Sequence, residues 1–244
     1  MLPAFWIGEF QVHTYPLMLG IIWALAYKLS LYFIKIRNIQ IPKFNLFYFL
    51  IFCSSWLGAK LFFLLSLESG VMNDAMGSSG FWLGGGFVFF GGLIFGGLFI
   101  LGYARFHKMS MNQFEFCVPV IAISHSLGRL SCFLAGCCYG KHCELPWAIE
   151  TMGINRHPVQ LYEAITLVIV FLILLKRYKN KRPVIVSYLA SYSLVRFFLE
   201  FFRGDEIRGL WWQGLSTSQW IAILILLCCA VISIRAKYIE AGKK

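Results

Sequence analysis

His125-Ser-Leu-Gly-Arg129-Leu-Ser-Cys132-Phe-Leu-Ala-Gly136-Cys137-Cys138-Tyr139-Gly140 closes a hydrophobic run that begins near Phe114, yet it carries a histidine, an arginine and three cysteines where a lipid-facing helix carries leucine. If the run stays helical, His125, Arg129 and Cys132 fall at i, i+4 and i+7, within about 60° of one another around the axis. They form one polar stripe. An arginine inside a membrane span costs roughly 2.5–3.5 kcal/mol on insertion scales, so the stripe marks a buried polar site between helices rather than a lipid face.

The rest of the chain gives that stripe its setting. Of 244 residues, 59% are hydrophobic and only 14% charged, a balance that excludes an ordinary soluble domain. The expected fold is all-α, a bundle of seven transmembrane helices forming a single domain over residues 1–244, with no linker or internal repeat. The segment before His13 lacks the basic start, short apolar core and cleavage site of a removable signal, so the first span is read as an anchor. The spans are expected at Tyr15–Ile34, Phe44–Leu65, Phe87–Tyr103, Phe114–Phe133, Leu161–Leu175, Val184–Phe201 and Ser218–Ile234, the third and fifth being short for a bilayer.

Charge distribution sets an orientation. Lys28, Lys35, Arg37, Lys43, Arg105, Lys108, the run from Lys176 to Arg182, and Arg235, Lys237, Lys243 and Lys244 fall on one side, whereas the opposite loops hold only Lys141, Arg156, Arg203 and Arg208. The positive-inside rule then places the N-terminus outside and the C-terminus in the cytoplasm. The net charge of +11 is thereby accounted for without nucleic acid as a partner. In this orientation Arg129, Arg196 and Lys60, and the residues at the start of the fifth span, Arg156, His157, Gln160 and Glu163, converge on the outer half of the membrane. That layout describes a site open to lipid and to the extracytoplasmic space.

On the sixth span Arg196, Glu200 and Arg203 follow at i, i+4 and i+7, with Tyr192 at i−4. Arg196 and Glu200 have ion-pair spacing, which serves either a structural bridge or an arginine held toward a phosphate. The glycine-dense region from Gly70 to Gly97 has two readings as well. Gly84-Gly85-Gly86 reads as a flexible loop, while Gly91-Gly92 and Gly96-Gly97 suit either close helix packing or backbone amides that bind an anion.

Gly128-Arg129 followed by Gly136, then Arg156-His157-Pro158-Val159-Gln160-Leu161-Tyr162-Glu163, then Arg196-Phe-Phe-Leu-Glu200-Phe-Phe-Arg203, resemble prolipoprotein diacylglyceryl transferases in order and spacing. Phe89-Phe90-Gly91-Gly92-Leu93-Ile94 looks like that family's His-Gly-Gly-Leu segment, and Gly58-Ala59-Lys60-Leu61 like a second-helix motif that usually has arginine. The resemblance implies a multi-pass enzyme of the bacterial plasma (inner) membrane. It would transfer diacylglyceryl from phosphatidylglycerol of the outer leaflet to the lipobox cysteine thiol of a secreted precursor, releasing glycerol 1-phosphate. Arg129 and Arg196 fit a phosphate clamp, with Glu200 orienting Arg196. Arg156, His157, Gln160 and Glu163 would shape the outer entrance, and Tyr15, Lys60, Gly91, Gly92, Gly128, Gly136 and Arg203 are further substrate-binding candidates. The resemblance implies no cofactor or metal, and a monomer is expected.

The chain departs from the family at Phe90, where a histidine is usual, at Cys132 in place of asparagine, and at Cys137 in place of glutamate. His125 is therefore either a hydrogen-bonded helix histidine or a substitute base for the acceptor thiol. Cys53, Cys117, Cys228 and Cys229 lie in apolar runs and read as small hydrophobes. The remaining four allow several chemistries. Cys137 or Cys138 could act as a nucleophile in a divergent transferase with a non-lipobox acceptor. Cys137, Cys138, His142 and Cys143 could hold zinc, although their spacing is compressed, or a disulfide could join Cys143 to one of the pair. A lipid binder or transporter without activity would need neither the arginines nor the Arg-His-Pro-x-Gln-Leu-Tyr-Glu run.

Overall fold

The computed structural model describes residues 4–65, 67, 81, 86–151, 153–204 and 214–241. A short antiparallel hairpin, β1 (Ala4–Ile7) and β2 (Phe10–His13), pairs Ala4 with His13 and leads into helix α1, Thr14–Arg37. Helix α2 is Phe44–Leu65 and α3 is Phe89–Phe106. A 3-10 segment, Met111–Phe116, precedes α4, Cys117–Ala135. A second hairpin, β3 (Ile149–Thr151) and β4 (Ile154–Arg156), then precedes α5, Val159–Lys179. Helix α6, Ile185–Leu199, tightens into a 3-10 turn at Glu200–Phe202, and α7 is Thr217–Ala241.

Six of these helical stretches are long and apolar enough to cross a membrane, α3 being the shorter apolar one at Phe90–Phe106, so the chain is a multi-pass membrane protein. The second span coincides with its expected bounds. The fifth does not, because α5 runs a full turn past Leu175: Lys176, Arg177 and Lys179 continue the helix as its last turn, where positive charge complements the free carbonyls of the C-terminus. Pro158 begins it, a position that requires no backbone N–H. The two hairpins were not expected, since strands of three or four residues leave no alternating pattern long enough to read. Gly84, Gly85, Arg208, Lys243 and Lys244 lie outside the described residues, as does most of the glycine-rich region before Gly86.

Packing follows the chain. Helix α1 lies on α4, α4 on α5, α5 on α6 and α6 on α7, while α2 and α3 form a close pair of their own. That pair is set by glycine: a Cβ on Gly58 would strike the Gly91 carbonyl oxygen, and a Cβ on Gly91 would strike that of Gly58. The backbones therefore touch, as small residues allow in membranes. The two groups share an aromatic core at one end, where Phe47 packs on Phe114, Phe44 on Phe116 and Phe33 on Tyr178. Arg37 ties the same end together. It pairs with Glu115 at 2.7 Å, stacks 3.8 Å over the Tyr178 ring, and donates to the carbonyls of Tyr178 and Arg182 at 3.1 and 2.9 Å.

Candidate active site

The opposite end of the bundle gathers the start of α1, the end of α4, the start of α5, the end of α6 and the start of α7. At its centre is Glu163, only 1% exposed. One carboxylate oxygen lies 3.0 Å from Arg129 Nε and 3.7 Å from Arg196 Nη1. The other accepts a hydrogen bond from the Tyr192 hydroxyl at 3.1 Å and lies 3.8 Å from His125 Nε2. A carboxylate in a membrane span must be paired, and Glu163 is shared between two guanidinium groups on different helices. Sequence reading placed Glu163 at the entrance with Arg156 and His157. The structure moves it inward, because the first turn of α5, from Val159, separates it from them and turns it toward α4 and α6.

Arg196 is held from three directions. Besides Glu163, it meets Glu200 at 3.0 Å, the i,i+4 pair expected from spacing, and it donates to Ser218 Oγ on α7 at 3.3 Å. His125 stacks edge-on against Tyr192 at 4.9 Å, so the expected stripe of His125 and Arg129 does face one cluster. Tyr192 and Ser218 were not among the expected site residues. The i−4 spacing of Tyr192 from Arg196 carried its signal, whereas Ser218 could be found only from the packing of α6 on α7.

Arg203 leaves the predicted stripe. After the 3-10 turn its backbone is extended (φ −77°, ψ 146°) and forms an antiparallel bridge with Gly140. This pairing straps down the loop after α4, with Lys141 N–H donating to the Phe202 carbonyl at 2.8 Å and Gly204 N–H to that of Tyr139 at 3.2 Å. A Cβ on Gly140 would strike the His157 carbonyl, so glycine is needed there. Arg156 stacks 4.5 Å over the Tyr139 ring and His157 packs 5.2 Å from the Phe202 ring. Gln160 donates to the Cys137 carbonyl at 2.6 Å. The expected entrance residues thus brace the cysteine loop.

Local backbone explains the cysteines. Gly136 ends α4 in the left-handed conformation (φ 74°), with Cys137 N–H bonded to the Cys132 carbonyl at 3.1 Å and Gly136 N–H to that of Phe133 at 3.2 Å. This is a Schellman cap, which folds the residue after the glycine back over the last turn. Cys138 also has positive φ, 61°. The outcome is a trio, Cys132, Cys137 and Cys138, whose sulfur atoms all lie within 4.8 Å of one another. Cys143 stays apart, its backbone N–H bonded to the Asn155 carbonyl at 3.1 Å, and all eight cysteines are free. Of the alternatives open for the loop cysteines, the disulfide with Cys143 and the grouping with His142 and Cys143 are not formed, and Cys137 and Cys138 cluster with Cys132. Hydrogen bonds from Cys132 and then Cys137 hold the Cys138 thiol below the ordinary thiol range, and the charges of Arg203 and Arg129 act in the same direction. Tyr15, at the start of α1, is within electrostatic reach of all three cysteines and of Arg129.

Lys60, Gly91 and Gly92 sit in the α2–α3 seam instead. Lys60, 2% exposed, donates to the Phe81 carbonyl and lies 3.9 Å from the centre of the Phe87 ring. The Gly92 amide is committed to the Val88 carbonyl at 3.3 Å, which favours packing over anion binding as the reason for these glycines.

A family model described as prolipoprotein diacylglyceryl transferase matches residues 3–235. Among curated relatives, the phosphatidylglycerol–prolipoprotein diacylglyceryl transferase of Clostridium tetani is 33% identical over 156 residues, 59% of this chain and 62% of that protein. The protein of the same name from Finegoldia magna is 30% identical over 63% of each chain. That of Bordetella avium is 31% identical over 91% of this chain and 89% of its own length. The matched stretch thus spans under two thirds of the first two relatives and most of the third.

Proposed function

The chain belongs to the prolipoprotein diacylglyceryl transferase family, and on that premise we propose that it transfers diacylglyceryl from phosphatidylglycerol to a cysteine thiol of a secreted precursor. The observation that carries this reading is the convergence of Arg129 and Arg196, from two helices, on the single buried carboxylate of Glu163. Such a cluster holds two planar guanidinium groups in fixed positions, and guanidinium offers forked hydrogen bonds to phosphate oxygens. A phosphodiester lodged against them would have its departing charge stabilised as the glyceryl C–O bond breaks.

Glu163, Glu200 and Ser218 act as positioning residues in this scheme, since each fixes an arginine rather than the reacting atoms. The lipid's two acyl chains remain among the apolar helices while its headgroup reaches the polar end, which brings the reacting carbon to the level of Arg129. His125, one turn along α4 from Arg129 and 3.8 Å from Glu163, lies in reach of the same cluster. The site faces the outer leaflet of the plasma membrane, because the opposite end carries the basic loops. The protein works as a monomer.

The test is turnover of purified protein with phosphatidylglycerol and a lipobox peptide, following glycerol phosphate release and peptide mass. A gain of one diacylglyceryl unit that is lost in Arg129→Ala is expected. An unchanged peptide, or a gain that persists in Arg129→Ala, overturns the reading.

A further inference from the structure

The Cys132, Cys137 and Cys138 cluster has no part in the phosphate clamp, yet it is built by a specific cap and braced by Gln160 and Arg203. We propose that these three cysteines bind a zinc ion through their sulfurs, and that the fourth coordination position takes the thiol of the acceptor peptide. The first half stands on the cluster alone. The second half rests on the transferase reading above.

Geometry supports the ion. Tetrahedral zinc with Zn–S bonds of about 2.3 Å sets its sulfurs about 3.8 Å apart. The three sulfurs already lie within 4.8 Å of one another, so closure needs only small side-chain rotations. The Schellman cap fixes Cys137 over Cys132 before any ion arrives, and the positive φ of Cys138 is part of the same turn. Cys137 is exposed, which gives an ion a path in and leaves one side of the cluster open. Three thiolates around a divalent ion carry one net negative charge, and Arg203, whose backbone pairs with Gly140, brings a positive charge to the same loop. Three protein ligands with an open fourth position is the pattern of a reactive zinc rather than a purely structural one.

The chemistry fits a thiol acceptor. Glu163 is engaged by Arg129, Arg196 and Tyr192, so it is poorly placed to take a proton from an incoming thiol. A thiol that coordinates zinc is deprotonated, and its proton passes to solvent. The zinc-bound sulfur then attacks the glyceryl carbon of the lipid and forms the C–S bond. The C–O bond to the phosphate oxygen breaks, and its electron pair leaves with glycerol phosphate against Arg129 and Arg196. The thioether product is neutral and a weak ligand, so it dissociates; no atom changes oxidation state. A protein cysteine acting as covalent carrier would instead trap the group as a stable thioether. Activation of the acceptor is therefore the better use of these sulfurs.

The experiment begins with detergent-purified full-length protein stripped of metal and titrated with Zn2+ and Co2+. We expect one equivalent of either ion and, with Co2+, a sulfur-to-cobalt charge-transfer absorption. Affinity should fall at least tenfold in Cys132→Ser, Cys137→Ser and Cys138→Ser but not in Cys143→Ser, which controls for folding. A lipobox peptide should perturb the cobalt spectrum, and the same peptide with serine for its acceptor cysteine should not. No uptake, or uptake indifferent to the three serine substitutions, overturns the metal site. Transfer undiminished after chelation overturns its role while leaving the transferase reading intact. Thiolate-bound metal with no transfer in any preparation overturns the transferase reading and, with it, the acceptor half of the proposal.

Discussion

Arg129 Nε lies 3.0 Å from Glu163 Oε2, joining the polar stripe of α4 to a carboxylate on α5 that is almost wholly buried. The same oxygen is 3.7 Å from Arg196, so one negative charge holds two cations in place. Glu163→Gln keeps the shape and removes that charge. Breaking a buried ion pair costs about 3–5 kcal/mol, and where the cost falls on the positions of the arginines it appears in the rate. We expect Glu163→Gln to fold and to release glycerol phosphate on the order of 100-fold more slowly than wild type. Full activity would show that the arginines hold their positions without it.

Arg196 gives a sharper distinction, because its guanidinium meets Glu163, Glu200 and Ser218 at once. Lysine keeps the charge but cannot present the fork. Arg196→Lys should therefore retain more activity than Arg196→Ala yet remain about 10-fold or more below wild type. Steady-state rates across lipid concentrations test it, and equal rates for lysine and arginine would reduce Arg196 to a point charge.

Much of this arrangement is legible in the sequence, and the reasons are specific. Seven apolar runs give the helices, and the second span is read to the residue. The pairing of Arg196 with Glu200 follows from helical spacing, as does the shared face of His125 and Arg129. What spacing does not give is the partner across helices. Glu163 reads as one more polar residue at the start of α5 until α4 and α6 are seen on either side of it. The cysteines fail for a local reason: Cys132 and Cys137 are five residues apart, and so are Cys138 and Cys143, so spacing cannot choose between them, whereas the Schellman cap folds Cys137 back over Cys132 and Cys143 is held by the Asn155 carbonyl. By spacing Arg203 falls on a helical stripe, because nothing in Glu200-Phe-Phe-Arg203 announces the 3-10 turn that removes it.

The α2–α3 seam predicts a steric contrast between glycines. An alanine at Gly58 would drive its Cβ into the Gly91 carbonyl and the Phe95 side chain, whereas one at Gly97 meets nothing within 4 Å. Overpacking of this kind costs about 1–3 kcal/mol. Gly58→Ala should lower the thermal unfolding midpoint in detergent by a few degrees, and Gly97→Ala should leave it unchanged or slightly raised. Equal midpoints for the two would mean that the helices separate at no cost.

The end of the bundle away from the site rests on Arg37, and its removal should separate stability from activity. Its partner Glu115 is 7% exposed, and the Arg37 side chain also serves the Tyr178 and Arg182 carbonyls and the Tyr178 ring. Arg37→Ala leaves a buried carboxylate unpaired and two carbonyls without that donor, a loss of about 3–5 kcal/mol for the pair alone. Arg37→Lys restores the charge without the fork, so its midpoint should fall between alanine and wild type. Neither change touches Arg129, Glu163 or Arg196, so transfer measured well below the unfolding midpoint should stay within about twofold of wild type in both. A lowered midpoint with normal turnover would establish Arg37 as the tie that joins α1, α5 and the 3-10 segment. Loss of turnover at an unchanged midpoint would instead couple the two ends of the bundle, and Arg37 would then act on the site through the helices it binds.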